Sequence, residues 1–457
     1  MAFSGSDPSI PCPFPVGEAA AAVLGAIGAE AAVLWAARTG SIQDVEVDVG
    51  RAAASLLSLW LARLDGQSLS PVPASGNPTD MSDDPVVALH RAGDGRWVHL
   101  HGAFPHLRAG TLAVLGCGDG PAEIAAAVAA WKAEDLEAAL GAAGMCGAMA
   151  RSTEEWLAHP QGRAVAALPP VDVVKIADGP PEPVPLAGRP LGGIRVLEMA
   201  RILAGPVCGR VLGEHGADVL AVSAPDLPDY NQSIIDTGHG KRSAHLDLRR
   251  PADHATLLDL VAGADVVSQG YRTGALSRKG LGPAELAAVR PGLVYVSINT
   301  YGPDGPWVSR PGWEHMAQTV SGMAVAQGGV GGPATMPVAV CDYITGYLAA
   351  LGAMVALRRR AQEGGSYHVR ASLCQTALWV QEFGRYPAIP DVALGDTSRW
   401  MTQTDTPFGR LRHLTPVVQL AETPARWSGP PVPPGTHRPV WPDRRPPQDQ
   451  PLGQDRR

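Results

Sequence analysis

"LGGIRVLEMARILAGPVCGRVLGEHGADVLAV", residues 191–222, decides the fold. Its first part, "GIRVLEM" (193–199), is short, apolar and bounded by glycine, which predicts a buried strand. A helix is predicted from Pro206 to His215, with the proline near its first turn, where a missing N–H is harmless. "ADVLAVSA" (217–224) then predicts a second strand. The alternation continues with strands at 243–248, 264–271 and 292–302 and helices at 251–262 and 283–290. Continuous apolar strands alternating with helices imply a parallel sheet covered on both faces. Such a sheet binds ligands beyond the carboxyl ends of its strands. The loops at 200–206, 269–280 and 300–315 are therefore the places to look.

The rest of the chain sets the limits. Its 457 residues are 45% hydrophobic and 18% charged, enough for a substantial core and more than one domain. A formal charge of −7 provides no basic footprint for nucleic acid. Six cysteines without CxxC spacing read as reduced thiols of a cytoplasmic protein. The most apolar stretch, 19–37, is Ala-rich and interrupted by Glu30, which predicts a soluble helix rather than a membrane span. No basic segment with a cleavage site opens the chain, so secretion is not expected. "DGPPEPVPLAGRPLGG" (178–193) reads as a linker, and the Pro- and Arg-rich tail from Ser428 as disordered or as an extended wrap.

The chain also echoes itself. A shift of 324 residues lays 17–47 over 341–371, so that Leu24 meets Leu348, Gly28 meets Gly352, Gly40 meets Gly364 and Val45 meets Val369. Both copies read as an Ala-rich helix, a glycine and a strand. Glu18 then lies opposite Asp342.

Asp342 is the residue that raises a question of chemistry. It heads an apolar helix with no Lys or Arg within fifteen residues on either side. It reads either as a helix cap or as a nucleophile kept ionised by the helix dipole. "RILAGP" (201–206) follows a strand and precedes a helix, where an anion would sit, but carries no GxGxxG pattern. Lys241 and Arg242 before one strand, and Arg272, Arg278 and Lys279 after another, put two cationic loops on one sheet edge, which favours a polyphosphate ligand. "QGGVGGP" (327–333) reads as a flexible hairpin. His101, His106, His239 and His315 lack metal-ligand spacing, so no metal is expected.

Taken in order, 191–222, "GHGKRSAHLDL" (238–248), 264–286, 290–307 and "GWEHMAQTVSGM" (312–323) resemble family III CoA-transferases, the group of formyl-CoA and carnitine CoA-transferases and 2-methylacyl-CoA racemase. The resemblance is strong over 190–375. It implies a doubly wound, Rossmann-like parallel sheet that binds CoA, a second and smaller α/β domain, and an extended C-terminal wrap. "DGRWVHLHGAF" (94–104) and "STEEWLAHPQGRAVA" (152–166) resemble the family's small domain, and 406–437 its closing strip, so the segment order is rearranged. The expected units are 1–177, resembling the second half of the family fold, a linker at 178–192, the catalytic sheet domain at 193–400, the strip at 401–442 and a disordered tail at 443–457.

The resemblance assigns the nucleophile to Asp342, at the family's interval after Gly312-Trp313-Glu314. Glu314 is the candidate for positioning or proton transfer. For the CoA moiety the resemblance and the cationic loops together nominate Arg201, Ala204, Lys241, Arg242, Tyr271, Arg272, Arg278 and Trp313. Trp313 stands where the racemases have a catalytic histidine, which weighs against racemase chemistry. "VSAPDLPDY" after the second strand lacks a basic residue many members have. The implied reaction moves CoA from an acyl-CoA donor to a carboxylic acid acceptor. The alternatives are an acyl-CoA racemase or isomerase, and an inactive CoA-binding subunit. The family's interlocked homodimers, together with two helices too apolar to stay exposed, imply a homodimer here.

Overall fold

The computed structural model describes residues 1–443 apart from Pro71, Val72, Ala74, Leu186 and Pro228, so the tail beyond Asp443 lies outside the described residues. In chain order the elements that position the site are helix α1 (Val16–Thr39), strand β1 (Val45–Asp48), β2 (Asp172–Ala177), β3 (Arg195–Met199), α2 (Ala204–Glu214), β4 (Asp218–Ser223), β5 (Lys241–His245), β6 (Val266–Gln269), β7 (Val294–Asn299), α3 (Glu314–Ser321), α4 (Val340–Glu363) and β8 (Ser366–Ser372).

Strands β5-β4-β3-β6-β7-β8-β2 lie side by side in one seven-stranded sheet. All pairs are parallel except β8 with β2, which is antiparallel. After edge strand β2, the parallel part starts at β3, winds outward through β4 and β5, and returns to the other side at β6. The strand order therefore switches at β3, and a crevice opens beyond its carboxyl end, at the loop 200–203. β2 falls in the stretch the sequence reading gave to the first unit, yet it closes the edge of the main sheet. β5 begins two residues earlier than the predicted strand at 243–248, because the buried Lys241 side chain is part of the sheet's interior. "QGGVGGP" does not form a hairpin. Helix Met323–Gly328 runs into it and a 3-10 turn at Gly329–Gly331 follows. The apolar "MAVA" favours helix, restarted by Gly322 at φ 97°.

The smaller unit carries its own core. Strands Leu89–Arg91, Trp97–Leu100 and Gly147–Met149 make an antiparallel sheet covered by helices within 105–142. Val98, Leu100, Ile124, Val128, Leu136 and Leu140 are buried between them. The strip from Arg426 to Pro442 is extended and runs along the β5 edge. His437 N–H donates to Ser243 O (2.7 Å) and Arg242 donates to Val440 O (2.8 Å).

The echo is real structure. Helices α1 and α4 are each 24 residues long and start and end at the same offset of 324. Each is closed by a glycine at positive φ, Gly40 (78°) and Gly364 (66°). Asp48 accepts from Arg51 N–H to cap the next helix, and Ser372 accepts from Gln375 N–H at the same offset. Chance similarity of Ala-rich helices would not reproduce the cap. By length and composition both helices could cross a membrane, but here they pack on each other in the main core. Their apolar faces are thus covered within one chain, which removes the exposed surface that implied a partner.

Helix α4 crosses α2 at Gly346. A Cβ there would stand 2.6 Å from Ala204 O and 2.6 Å from Val207 Cγ1. Gly346 thus sets the distance between the nucleophile-bearing helix and the loop beyond β3. Gly346→Val is expected to destabilise the protein by about 1–3 kcal/mol through overpacking. Urea unfolding would measure it, and an unchanged midpoint would contradict the close crossing.

Candidate active site

At the start of α4 the backbone N–H groups need acceptors. The N-cap residue, Ala339, has no side chain that can serve. Glu314, in the first turn of α3 and only 4% exposed, reaches across instead. Its Oε2 accepts from Asp342 N–H (2.5 Å) and its Oε1 from Cys341 N–H (3.0 Å). Gln318, one turn further along α3, donates to the same Oε1 (2.6 Å) and fixes the carboxylate. The capping reading of Asp342 is therefore overturned. Glu314 caps the helix, and the Asp342 carboxylate is left over for chemistry.

That carboxyl is buried, and the backbone of Ala204, the first residue of α2, faces it and favours its charged form. Two helix N-termini, α2 and α4, thus converge on one carboxyl group. Partial positive charge at both favours an anion there. The loop before Ala204 is bent to reach this position. Ile202 has φ 66°, a conformation a β-branched residue adopts only under constraint.

Burial pushes the Asp342 carboxyl well above the ordinary carboxylate range, and the neighbouring Glu314 charge adds to it. Burial also raises Glu314, against the donors on its oxygens, Gln318, Asp342 N–H and Cys341 N–H. Two carboxylates this close do not both ionise readily. Three donors, Gln318 and the N–H groups of Cys341 and Asp342, converge on Glu314, so its charge is held in place beside Asp342.

The nominated CoA residues are placed unevenly. Ala204 touches the Asp342 carboxylate. Lys241 is buried, its ammonium 2.9 and 2.8 Å from the two Glu198 oxygens and 2.6 Å from Pro206 O, so all three donors are engaged within the sheet. It ties β5 to β3 and to the first turn of α2. Arg242 is held by the C-terminal strip. Tyr271 is partly buried against the core beneath β6 and its N–H donates to Gln269 Oε1. Arg272 lines a cavity of about 250 Å³ at the ends of β6, β7 and β8, and donates to Gly144 O (3.2 Å). Arg278 is exposed in a 3-10 turn beside that cavity, which Ser277 lines. Arg201, by contrast, lines a separate cleft with Arg242 and Lys241. The structure therefore divides the nominated residues between two openings.

Trp313 precedes α3 and stacks at 5.9 Å on His101 and lies 5.5 Å from Phe104. Tyr230 lies 5.3 Å from Phe104, and its hydroxyl donates to Ala103 O. This aromatic wall joins the smaller unit to the sheet unit beside the Arg201 loop. Sequence reading missed Phe104 and Tyr230, whose only signal was the family likeness of 94–104. His315 points to Thr79 O (3.0 Å), on the far side of α3 from the Glu314 contacts. Among the described residues no cluster of three or more His, Cys, Asp or Glu could hold a metal ion. All six cysteines are free.

The model of CoA-transferase family III matches residues 1–185 and 191–388, so the chain belongs to that family. An acyl-CoA transferase of Gibberella moniliformis is 32% identical over 94% of this chain and 89% of its own length. The beta subunit of a succinyl-CoA–L-malate CoA-transferase from Chloroflexus aurantiacus is 33% identical over 41% of this chain and 50% of its own. A succinate–glutarate CoA-transferase from Agrobacterium fabrum is 33% identical over 45% of this chain and 58% of its own. The chain thus spans about half the length of these last two relatives.

A carboxyl raised in the folded state ionises first in the unfolded chain, so Asp342 destabilises the fold progressively as pH rises above its unfolded pKa of about 3.9. Asp342→Asn is therefore expected to stabilise the protein at pH 7, with the gain vanishing below about pH 4. Thermal melts of both proteins across pH check this. A destabilised variant at pH 7 would contradict the strained, buried carboxyl.

Proposed function

We propose that this protein transfers CoA from an acyl-CoA thioester to a carboxylate acceptor through Asp342. The observation that carries the reading is the Asp342 carboxyl at two converging helix N-termini, freed from capping by Glu314. In the first step the Asp342 carboxylate attacks the thioester carbonyl. The acyl group passes to its oxygen as a mixed anhydride and CoA leaves as the thiolate. The thiolate then attacks the aspartyl carbonyl, giving an aspartyl-CoA thioester and releasing the donor acid. The acceptor carboxylate attacks that thioester, forming a second anhydride and freeing the thiolate again. Finally the thiolate takes the acceptor's acyl group, and the Asp342 carboxylate is restored.

Each intermediate is a carboxylic derivative of similar energy, which suits a carboxylate nucleophile better than a hydroxyl. The Ala204 backbone faces the reacting carboxyl, where developing negative charge needs a preorganised donor. Glu314 positions Asp342 and raises its basicity. Arg272 and Arg278 would hold the CoA phosphates, with Tyr271 beside the adenosine and Arg242 and Trp313 at the margins. Lys241 shapes the sheet beneath them. The succinyl-CoA named for one relative, and the succinate named for another, make succinyl-CoA the first donor to test. The free cysteines suit a reducing cytoplasm. The homodimer stays part of this reading on the family resemblance alone, and light scattering decides between 47.5 kDa and twice that mass.

Incubation with succinyl-CoA and a panel of carboxylic acids, read by mass spectrometry, tests the reading. New acyl-CoA species and ping-pong kinetics are expected from the protein and none from Asp342→Asn. Turnover by that variant, or no new thioester from any acid, would refute it. Arg278→Ala is expected to raise KM for the donor roughly 10- to 100-fold, the worth of charge-assisted phosphate contacts, with little change in kcat. An unchanged KM would remove Arg278 from the site.

A further inference from the structure

The cleft beyond β3, about 70 Å³, is lined on one side by Ala200, Arg201, Ile202, Pro206 and Asp229. Arg201 is its unusual member. The side chain is only 17% exposed, and its Nε and one terminal nitrogen are buried with no hydrogen-bond partner. The Asp229 carboxylate stands 3.8 Å off, near enough for attraction but too far for a hydrogen bond. The guanidinium lies over the Phe104 ring at 5.1 Å, which holds it in place without using its N–H donors. Buried donors left unpaired in this way are rare, and a planar fork of them matches a carboxylate.

Arg201 lies three residues before Ala204 on the turn from β3 into α2, so at most about 11 Å of chain separates them and a ligand with its reacting carboxyl at Asp342 can extend to Arg201. The wall of Phe104, Tyr230 and Trp313 is apolar and suited to a short methylene chain. We propose that Arg201 binds the distal carboxylate of a dicarboxylic acyl group and so selects dicarboxylic acids and their CoA monothioesters. This moves Arg201 from the CoA moiety, where the sequence reading put it, to the acyl moiety, and it rests on the transfer reading above.

Succinyl-CoA and butyryl-CoA share CoA and chain length and differ in the distal carboxylate. The wild-type protein is expected to favour succinyl-CoA in kcat/KM, and Arg201→Met to lose roughly 10- to 100-fold with that donor alone. Arg201→Lys should fall between them. Equal losses with both donors would put Arg201 on the CoA phosphates and overturn the proposal, as would a wild-type protein indifferent to the distal carboxylate. Calorimetry with free succinate and free butyrate, on wild type and Arg201→Lys, reads the site without turnover or dependence on the Met variant's folding. Succinate bound in preference to butyrate, and weakened by Arg201→Lys, supports the proposal even where no transfer is seen. In that case the transfer reading alone fails. Equal binding of the two acids overturns the Arg201 assignment and leaves transfer standing.

Discussion

The site depends on one interaction, the Glu314 carboxylate accepting the N–H groups of Cys341 and Asp342. An apolar helix entering the core needs a cap, and the usual solution is its own N-terminal Asp. Here the cap comes from another helix. Asp342 therefore keeps both the favourable field of the helix terminus and a carboxyl not spent on capping. The same contact brings a second acid close enough to raise the proton affinity of the first. Positioning and activation come from a single pair of hydrogen bonds.

Everything around that pair serves to hold two helix ends together. Gly346 lets α4 approach α2 closely enough for Ala204 to meet Asp342. Ile202 is held in an unfavourable conformation in the loop leading to Ala204. Arg360, fully buried at the other end of α4, pairs with Asp265 at 3.1 Å and pins the helix to the amino edge of the sheet. Helix α1 covers α4 with a copy of itself, yet its own acid differs. Glu18 is exposed, and its N–H is capped by Asp7 rather than by a buried partner. The repeat has preserved the scaffold and built one enclosed carboxyl.

The alternating strands and helices of 193–302 were legible because their apolar runs are local. The 324-residue echo was legible for the same reason, down to the glycines that close both helices. Asp342 stood out because a lone acid at an apolar helix start is chemically conspicuous. Its relation to Glu314 was only half legible, since a family interval names the residue but not the hydrogen bonds. The surroundings of Lys241 were not legible, because a basic pair before a strand gives no sign of the Glu198 beneath it. Trp313 was nominated on its own, but its meeting with Phe104 and Tyr230 in one wall was not legible. It joins segments more than eighty residues apart, and no periodicity records such a meeting.

The central claim is that the carboxyl relieved of capping is the one that becomes acylated. Incubating the protein with succinyl-CoA and hydroxylamine, digesting it, and sequencing the peptides by mass spectrometry tests this most directly. The account predicts a hydroxamate at Asp342 and at no other acid. A hydroxamate at Glu314 or Glu18, or unmodified Asp342 in a protein that is turning over, would contradict it.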